Sequence, residues 1–214
     1  MADSEGETRH DRRKRRTRGR LLQAGFILVA NRGIDAVSIQ EITDAADVAF
    51  GTFYNHFPSK EAIYDAIVDE FLEDFGNALD EIGADISDPP EVVALSIRHT
   101  LRRSEQDPDW GRLLLREGFS LASMARGLGP RLKRDIEQGL AAGRFATADP
   151  SLAVLSAGGT VLAAIAAQLH APRLAKLDME TDHLPERTAS AVLRALGVPK
   201  AEADNLAQLP LPNM

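Results

Sequence analysis

The 214-residue chain contains no cysteine, which excludes a disulfide framework and any thiolate zinc site. Aromatic residues are scarce, at 5 %. No stretch alternates apolar and polar residues at the period of two that a half-buried strand needs, and no internal repeat is visible. Five histidines (His10, His56, His99, His170 and His183) form no HxxxH or HExxH pair, and there is neither a GxSxG elbow nor a glycine-rich phosphate loop. No catalytic residues, metal or cofactor are therefore expected. The apolar run that a secretory signal needs is missing as well. The basic stretch near the N-terminus is followed by LLQAGFILVANRG, which carries Gln23 and ends in Asn31-Arg32-Gly33. Residues 151–169 are long enough to span a bilayer. Their apolar content is mostly alanine, interrupted by Ser151, Ser156, Gly158, Gly159, Thr160 and Gln168, so the expectation is a packed helix and no membrane partner.

What the chain does have is helical periodicity and an uneven charge. Thirty-two acidic residues outnumber twenty-five basic ones for a net charge of −7, a balance that by itself disfavours a phosphate-rich partner. Residues 9–20, RHDRRKRRTRGR, nevertheless hold eight basic residues and only Asp11 on the other side, a local charge of +7. A basic head on an acidic body suits a protein that meets phosphates at one end.

Leu22, Phe26 and Val29 mark a first helix that stops near Gly33. Ser38 and Glu41 form a capping-box pattern that opens a short helix over Ile39 and Ile42. After a turn at Ala46-Asp47-Val48, the segment AFGTFYNHF carries Phe53 and Phe57 one turn apart. Pro58 and Ser59 then open a long helix with Ile63, Ile67, Phe71 and Phe75 inward. Further helices are expected around Val93–Leu101, Trp110–Leu114 and Leu132–Leu140. Two more should follow, the alanine-rich stretch after Pro150 and a last one through Ala189, Val192, Leu193 and Leu196, stopped by Gly197 and Pro199. The tail LAQLPLPNM, residues 206–214, is expected to be loosely held. The fold class is all-α with about nine helices.

In the block of residues 38–61, two short helices with a tight turn between them make a helix-turn-helix, whose second helix enters the major groove. Seven of the eleven aromatics fall between Phe50 and Phe75, as a small head needs to bury enough surface. The block Thr52-Phe53-Tyr54-Asn55-His56-Phe57-Pro58-Ser59-Lys60-Glu61 resembles the DNA-binding domain of the tetracycline-repressor (TetR/AcrR) family over about residues 17–64. The resemblance implies a homodimeric cytoplasmic transcriptional repressor that binds a palindromic operator in double-stranded DNA and is released by a small, largely apolar ligand. The alternative is a regulator of the same fold without an inducer, controlled by a protein partner or by abundance. Domains are expected as a basic, disordered arm (1–16), the helix-turn-helix domain (17–62), and a ligand-binding and dimerisation domain (63–214).

Carried onto this chain, the resemblance implies that Ser38 caps the first motif helix and meets phosphate, and that Gln40 reaches a base edge or phosphate. Ala49, Phe50, Gly51 and Thr52 open the recognition helix against bases or backbone. Tyr54, His56 and Lys60 meet phosphates, and Asn55 faces bases or solvent. Hydroxyls, helix N-termini and lysine are the groups that phosphates bind. Two departures stand out. Asp47 occupies the turn where the family commonly has glycine, a role aspartate tolerates. Phe50 replaces a frequently polar base reader, and either packs on thymine methyls or folds back onto the head. The basic arm is expected to add minor-groove contacts. In the body, the alanine-rich helix and the last helix are expected to dimerise as a four-helix bundle. Trp110, Leu114, Phe119, Met124 and Phe145 are candidates to line a pocket, with His99, Arg116 and Gln168 as polar anchors, and the helix from Lys60 is the expected lever.

Overall fold

The computed structural model describes residues 8–118, 120, 127–177 and 180–214. They form two compact units, one ending at Glu70 and one beginning at Phe71. Every regular element among them is helical.

The first unit holds α1 (Arg9–Arg32), α2 (Ile39–Ala45), α3 (Phe50–Phe53) and α4 (Lys60–Val68). The basic run, expected as an unstructured arm, is instead the first half of α1. Thr8 and Asp11 close a full capping box at its start, and arginine and lysine are good helix formers with no Gly or Pro among them until Gly19. Gly33, at φ 81°, ends the helix by donating its N–H to the Val29 carbonyl. Leu22, Phe26 and Val29 are buried as their spacing predicts. Ser38 and Glu41 make the predicted box on α2, and Ser59 caps α4 by accepting from Ala62 N. The unit runs past residue 62 because α4 packs on α1. A methyl on Gly25 would stand 2.9 Å from Ile67 Cδ1, so glycine is what lets the two helices approach. Asp47 takes the left-handed conformation, φ 49°, and Arg20 donates to both its carbonyl and its carboxylate at 2.9 Å.

The second unit contains α5 (Asp74–Gly83), α6 (Pro89–Gln106), α7 (Pro108–Glu117), α8 (Leu128–Ala141), α9 (Pro150–Leu169), α10 (Ala171–Leu174), α11 (Leu184–Ala195) and α12 (Lys200–Leu206). Between α4 and α5 lies a π-helical stretch, Asp69–Glu73. It adds one residue to the turn, so the buried series runs Ile63, Ile67, Leu72, Gly76, Leu79 instead of continuing through Phe71 and Phe75. Phe75 packs on the Trp110 ring at 4.7 Å, and the Trp110 indole donates to the Phe71 carbonyl at 2.7 Å. In this unit α6 is the hub, packed by α5, α7, α8, α9, α11 and α12.

α12 lies ahead of the C-terminal tail and has no counterpart among the expected helices. Its Ala203 and Ala207, one turn apart, are buried against the bundle, and Asp204 accepts from Ser190 at 2.6 Å. Two alanines make a weak hydrophobic signal in sequence, yet they suffice where a neighbouring helix comes close. Phe145 is plain core. It closes over Gly139 of α8, where an added methyl would sit 2.1 Å from the ring. Gly139→Ala is therefore expected to lower stability by about 2 kcal/mol through overpacking, measurable as a urea-midpoint shift at unchanged m.

Candidate nucleic-acid interface and ligand cavity

α3 is short because Ala49 offers no side-chain cap and the chain turns at Tyr54. The turn carries the side chains that the motif singles out. Phe53 and Phe57 point inward, their rings 5.8 Å apart. Phe50 and Tyr54 stand out at 46 % and 51 % exposure and touch edge to face at 5.8 Å, with Phe53 at 5.4 Å behind Tyr54. Phe50 thus presents an apolar surface outward and is not folded into the core. Ala49, Gly51 and Asn55 are exposed beside them, and Thr52 and His56 are half-exposed. The surface is continuous and mixes methyl, ring and hydrogen-bonding groups, as a base-reading face does.

The remaining residues carried over from the motif are engaged locally. The Ser38 hydroxyl donates to Glu41 at 2.8 Å and accepts from its N–H at 3.2 Å. Together with Arg32 these bonds hold the Glu41 carboxyl down to about 2, the Arg32 contact being the largest cause. Gln40 donates to Asp44 at 2.6 Å. Lys60 donates to the carbonyls of Ile34 at 2.9 Å and Val37 at 3.2 Å. Its ammonium therefore ties α4 to the chain ahead of α2. Lys60→Met should lower the thermal stability of the chain by about 1 kcal/mol by removing those two bonds. A drop in DNA affinity without a drop in Tm would instead mark Lys60 as a phosphate ligand.

The basic first half of α1 lies beside α3. His10, Arg13, Lys14 and Thr17 share one helical face, and with Thr52, Asn55 and His56 they line an open groove of about 550 Å³. Partial burial lowers the His56 pKa from its ordinary value, and Lys14 and Arg18 add to the effect. Arg18 itself lies 5.2 Å over the Phe57 ring.

The second unit holds a cavity of about 120 Å³ among α5, α6, α7, α8 and α9. Most of its wall is apolar, including Leu79, Ile97, Leu132 and Leu162, but one end is charged, with Asp80 of α5 and Arg131, Arg134 and Asp135 of α8. Arg131 donates to Asp80 at 2.7 Å, Glu73 at 2.9 Å, Asn77 at 2.6 Å and the Gly127 carbonyl at 2.7 Å. Its three side-chain partners recur along one face of the helix at the spacing i, i+4, i+7. Gly76, on the same face, leaves room for the guanidinium, since a methyl there would lie 2.7 Å from it. Arg134 bridges Asp80 at 2.7 Å and Asp135 at 2.8 Å. Burial raises the Asp80 carboxyl, but the bonds from Arg134 and Arg131 outweigh it and hold it below its ordinary value. At Asp135, 6 % exposed, burial wins and the carboxyl is pushed up.

Of the residues expected to line a pocket, Leu114 does so. Trp110 and Phe145 are core, Arg116 is on the surface, and Gln168 donates to Glu105 at 2.7 Å. None of these four lines the cavity, nor does His99. His99 is buried near Arg98 and Arg102, and burial first, with those cations, pushes its pKa down to about 4. Phe119 and Met124 lie outside the described residues. Residue patterns alone do not single out the charged end, Asp80, Arg131, Arg134 and Asp135. The one signal for it is three ionisable residues at i, i+3, i+4 within the apolar stripe Leu128, Leu132, Ile136.

Known proteins resemble this chain in both of its units. The family model for bacterial regulatory proteins of the tetR family matches residues 21–67, and a model for the tetracyclin repressor-like C-terminal domain matches residues 88–209. The repressor DhaR of Mycobacterium sp. (strain GP1) is 38 % identical over 73 residues, covering 34 % of this chain and 37 % of DhaR. The repressor KstR2 of Rhodococcus jostii (strain RHA1) is 40 % identical over 67 residues, covering 31 % and 33 %. The chain thus aligns with about a third of the length of these curated relatives. The crystal structure of RolR in complex with resorcinol is 38 % identical, with a TM-score of 0.69 over 94 % of this chain and 98 % of RolR.

Proposed function

Because the chain belongs to the tetracycline-repressor family of transcriptional regulators, we propose that it is a homodimeric repressor released from a palindromic operator by a small ligand held in the cavity of its second unit. That cavity is the observation that favours this reading over a regulator without an inducer. An apolar space with a partly buried, mutually paired charged end is a costly thing to keep in a helical bundle unless something occupies it. Its size suits one compact ring, since an engineered cavity of about 150 Å³ holds benzene. The charged end offers both carboxylate acceptors and guanidinium donors, so it matches hydroxyl groups, which give and take hydrogen bonds. Resorcinol, the ligand of RolR, has this composition, and small phenols are the class to test first.

On the DNA side, the Phe50–His56 surface supplies the reading face, and half-sites spaced by a whole number of turns, about 34 Å each, suit a two-fold dimer. α9 and α11 are the proposed dimer helices. α9 is apolar and long enough to cross a membrane, but it packs on α6, α7, α8 and α11. Its other face shows Leu152 and Leu155 exposed, as a partner helix requires. The site of action is DNA in the cytoplasm. Nuclease footprinting with the purified protein should show a protected palindrome near its own promoter, lost on adding resorcinol or a related phenol. Protection that no phenol weakens, with no thermal stabilisation by any of them, would favour control by a protein partner or abundance.

A further inference from the structure

We propose that the first half of α1, residues 9–20, is a second DNA-contacting element, which forms with α3 a groove for the phosphate backbone flanking the half-site. The inference rests on the DNA-binding reading above and extends it to residues that lie outside the family model. That model begins at residue 21, whereas the helix begins at Arg9. Twelve helical residues therefore precede the shared core, and they carry the chain's charge anomaly.

The groove is built for an anion. Its lining consists of His10, Arg13, Lys14, Thr17, Thr52, Asn55 and His56, all of which carry hydrogen-bond donors or cations and none of which is a carboxylate. Not every basic residue of the run is available to it. Arg20 is tied to Asp47, and Arg18 lies over Phe57 and bridges Glu70 at 3.4 Å. Among the described residues, Arg13 and Lys14 make no ion pair, and their positions i, i+3, i+4 and i+7 with His10 and Thr17 place them on the face next to α3. The His56 pKa is lowered first by partial burial, and the positive charge of Lys14 and Arg18 lowers it further.

A duplex is the partner that fits, because the groove adjoins the exposed Phe50–Tyr54 surface, and a backbone that entered it would be the one bordering the groove read by α3. A minor-groove arm does not fit. A helix with its side chains is about 10–12 Å across and the minor groove about 6 Å wide. A helical run of arginines therefore lies along phosphates and does not enter between them.

The test is the double variant Arg13→Gln with Lys14→Gln. Both positions are exposed and glutamine keeps helix propensity. Affinity for an operator duplex and for a scrambled duplex is measured by fluorescence anisotropy across a series of salt concentrations. Every phosphate that is no longer neutralised lowers the slope of log K against log salt by about 0.9. The expected result is a slope smaller by close to 2 per subunit, with the same factor of affinity lost on both duplexes, so that the specificity ratio is unchanged. The charge-conserving pair Arg13→Lys with Lys14→Arg should keep the wild-type slope. An unchanged slope in the glutamine variant overturns the proposal, and so does a loss confined to the operator, which would mean base reading. If the wild-type protein itself shows no preference for an operator, the DNA-binding reading fails instead.

Discussion

Arg131→Ala should abolish the release of DNA by ligand and lower the stability of the chain by about 2 kcal/mol, while DNA binding without ligand persists. The size follows from what the guanidinium holds. Arg131 is 15 % exposed and joins Glu73 and Asp80, each about a third exposed. Removing one partner of a buried pair costs about 3–5 kcal/mol, and exposed pairs are worth about 0–1 kcal/mol. A pair that water partly screens falls between. Truncation also removes the donors to Asn77 and the Gly127 carbonyl and takes from Glu73 and Asp80 the guanidinium they share. Urea melts measure the first effect, and calorimetry with resorcinol plus footprinting measures the second. Arg131→Lys sharpens the result, because a lysine keeps the charge but does not span Asp80, Glu73 and Asn77 at once. It should recover part of the stability and little of the ligand response. Wild-type release of DNA by the alanine variant would remove Arg131 from the ligand site.

The second large effect belongs to the other unit. Tyr54→Phe combined with His56→Ala should weaken operator binding by about 100-fold or more. Hydrogen bonds to a charged group are worth about 1.5–3 kcal/mol each, and two such losses multiply. Phenylalanine retains the edge contacts of the Tyr54 ring with Phe50 and Phe53, so helicity and Tm should stay close to wild type. That separates a contact role from a folding role more cleanly than a Lys60 variant, which also frees the carbonyls of Ile34 and Val37. Undiminished operator affinity, measured at fixed salt, would move the phosphate contacts elsewhere on the unit.

Much of this architecture is legible in the sequence. The i, i+4, i+7 stripe of Leu22, Phe26 and Val29, the helix caps at Ser38 and Ser59, and the glycine and proline stops are short-range signals. They act within one or two turns of chain, so residue types suffice to read them. The tetracycline-repressor motif is legible for the same reason, since its residues occupy one short turn, and the left-handed Asp47 follows from the turn it sits in. The helical start at Arg9 is open to reading too. Thr8 and Asp11 are a capping pair, but a dense run of like charges disguises them as a solvated tail.

Other features depend on which helices meet. The π-turn at Asp69–Glu73 moves burial from Phe71 to Leu72, a one-residue slip that a steady four-residue spacing conceals. Ala203 and Ala207 are buried only because α11 lies against them. The net charge of −7 and the basic +7 run were fixed by composition, and so was the division into a phosphate-seeking head and an acidic body. Whether Lys60 faces outward, whether Trp110 and Phe145 fill a core or line a pocket, and where the polar end of the cavity lies were decided by tertiary structure. The physical reason is that a cavity is space between side chains from several helices. Asp80 on α5 and Arg134 on α8 are 54 residues apart in the chain, and only packing brings them to 2.7 Å.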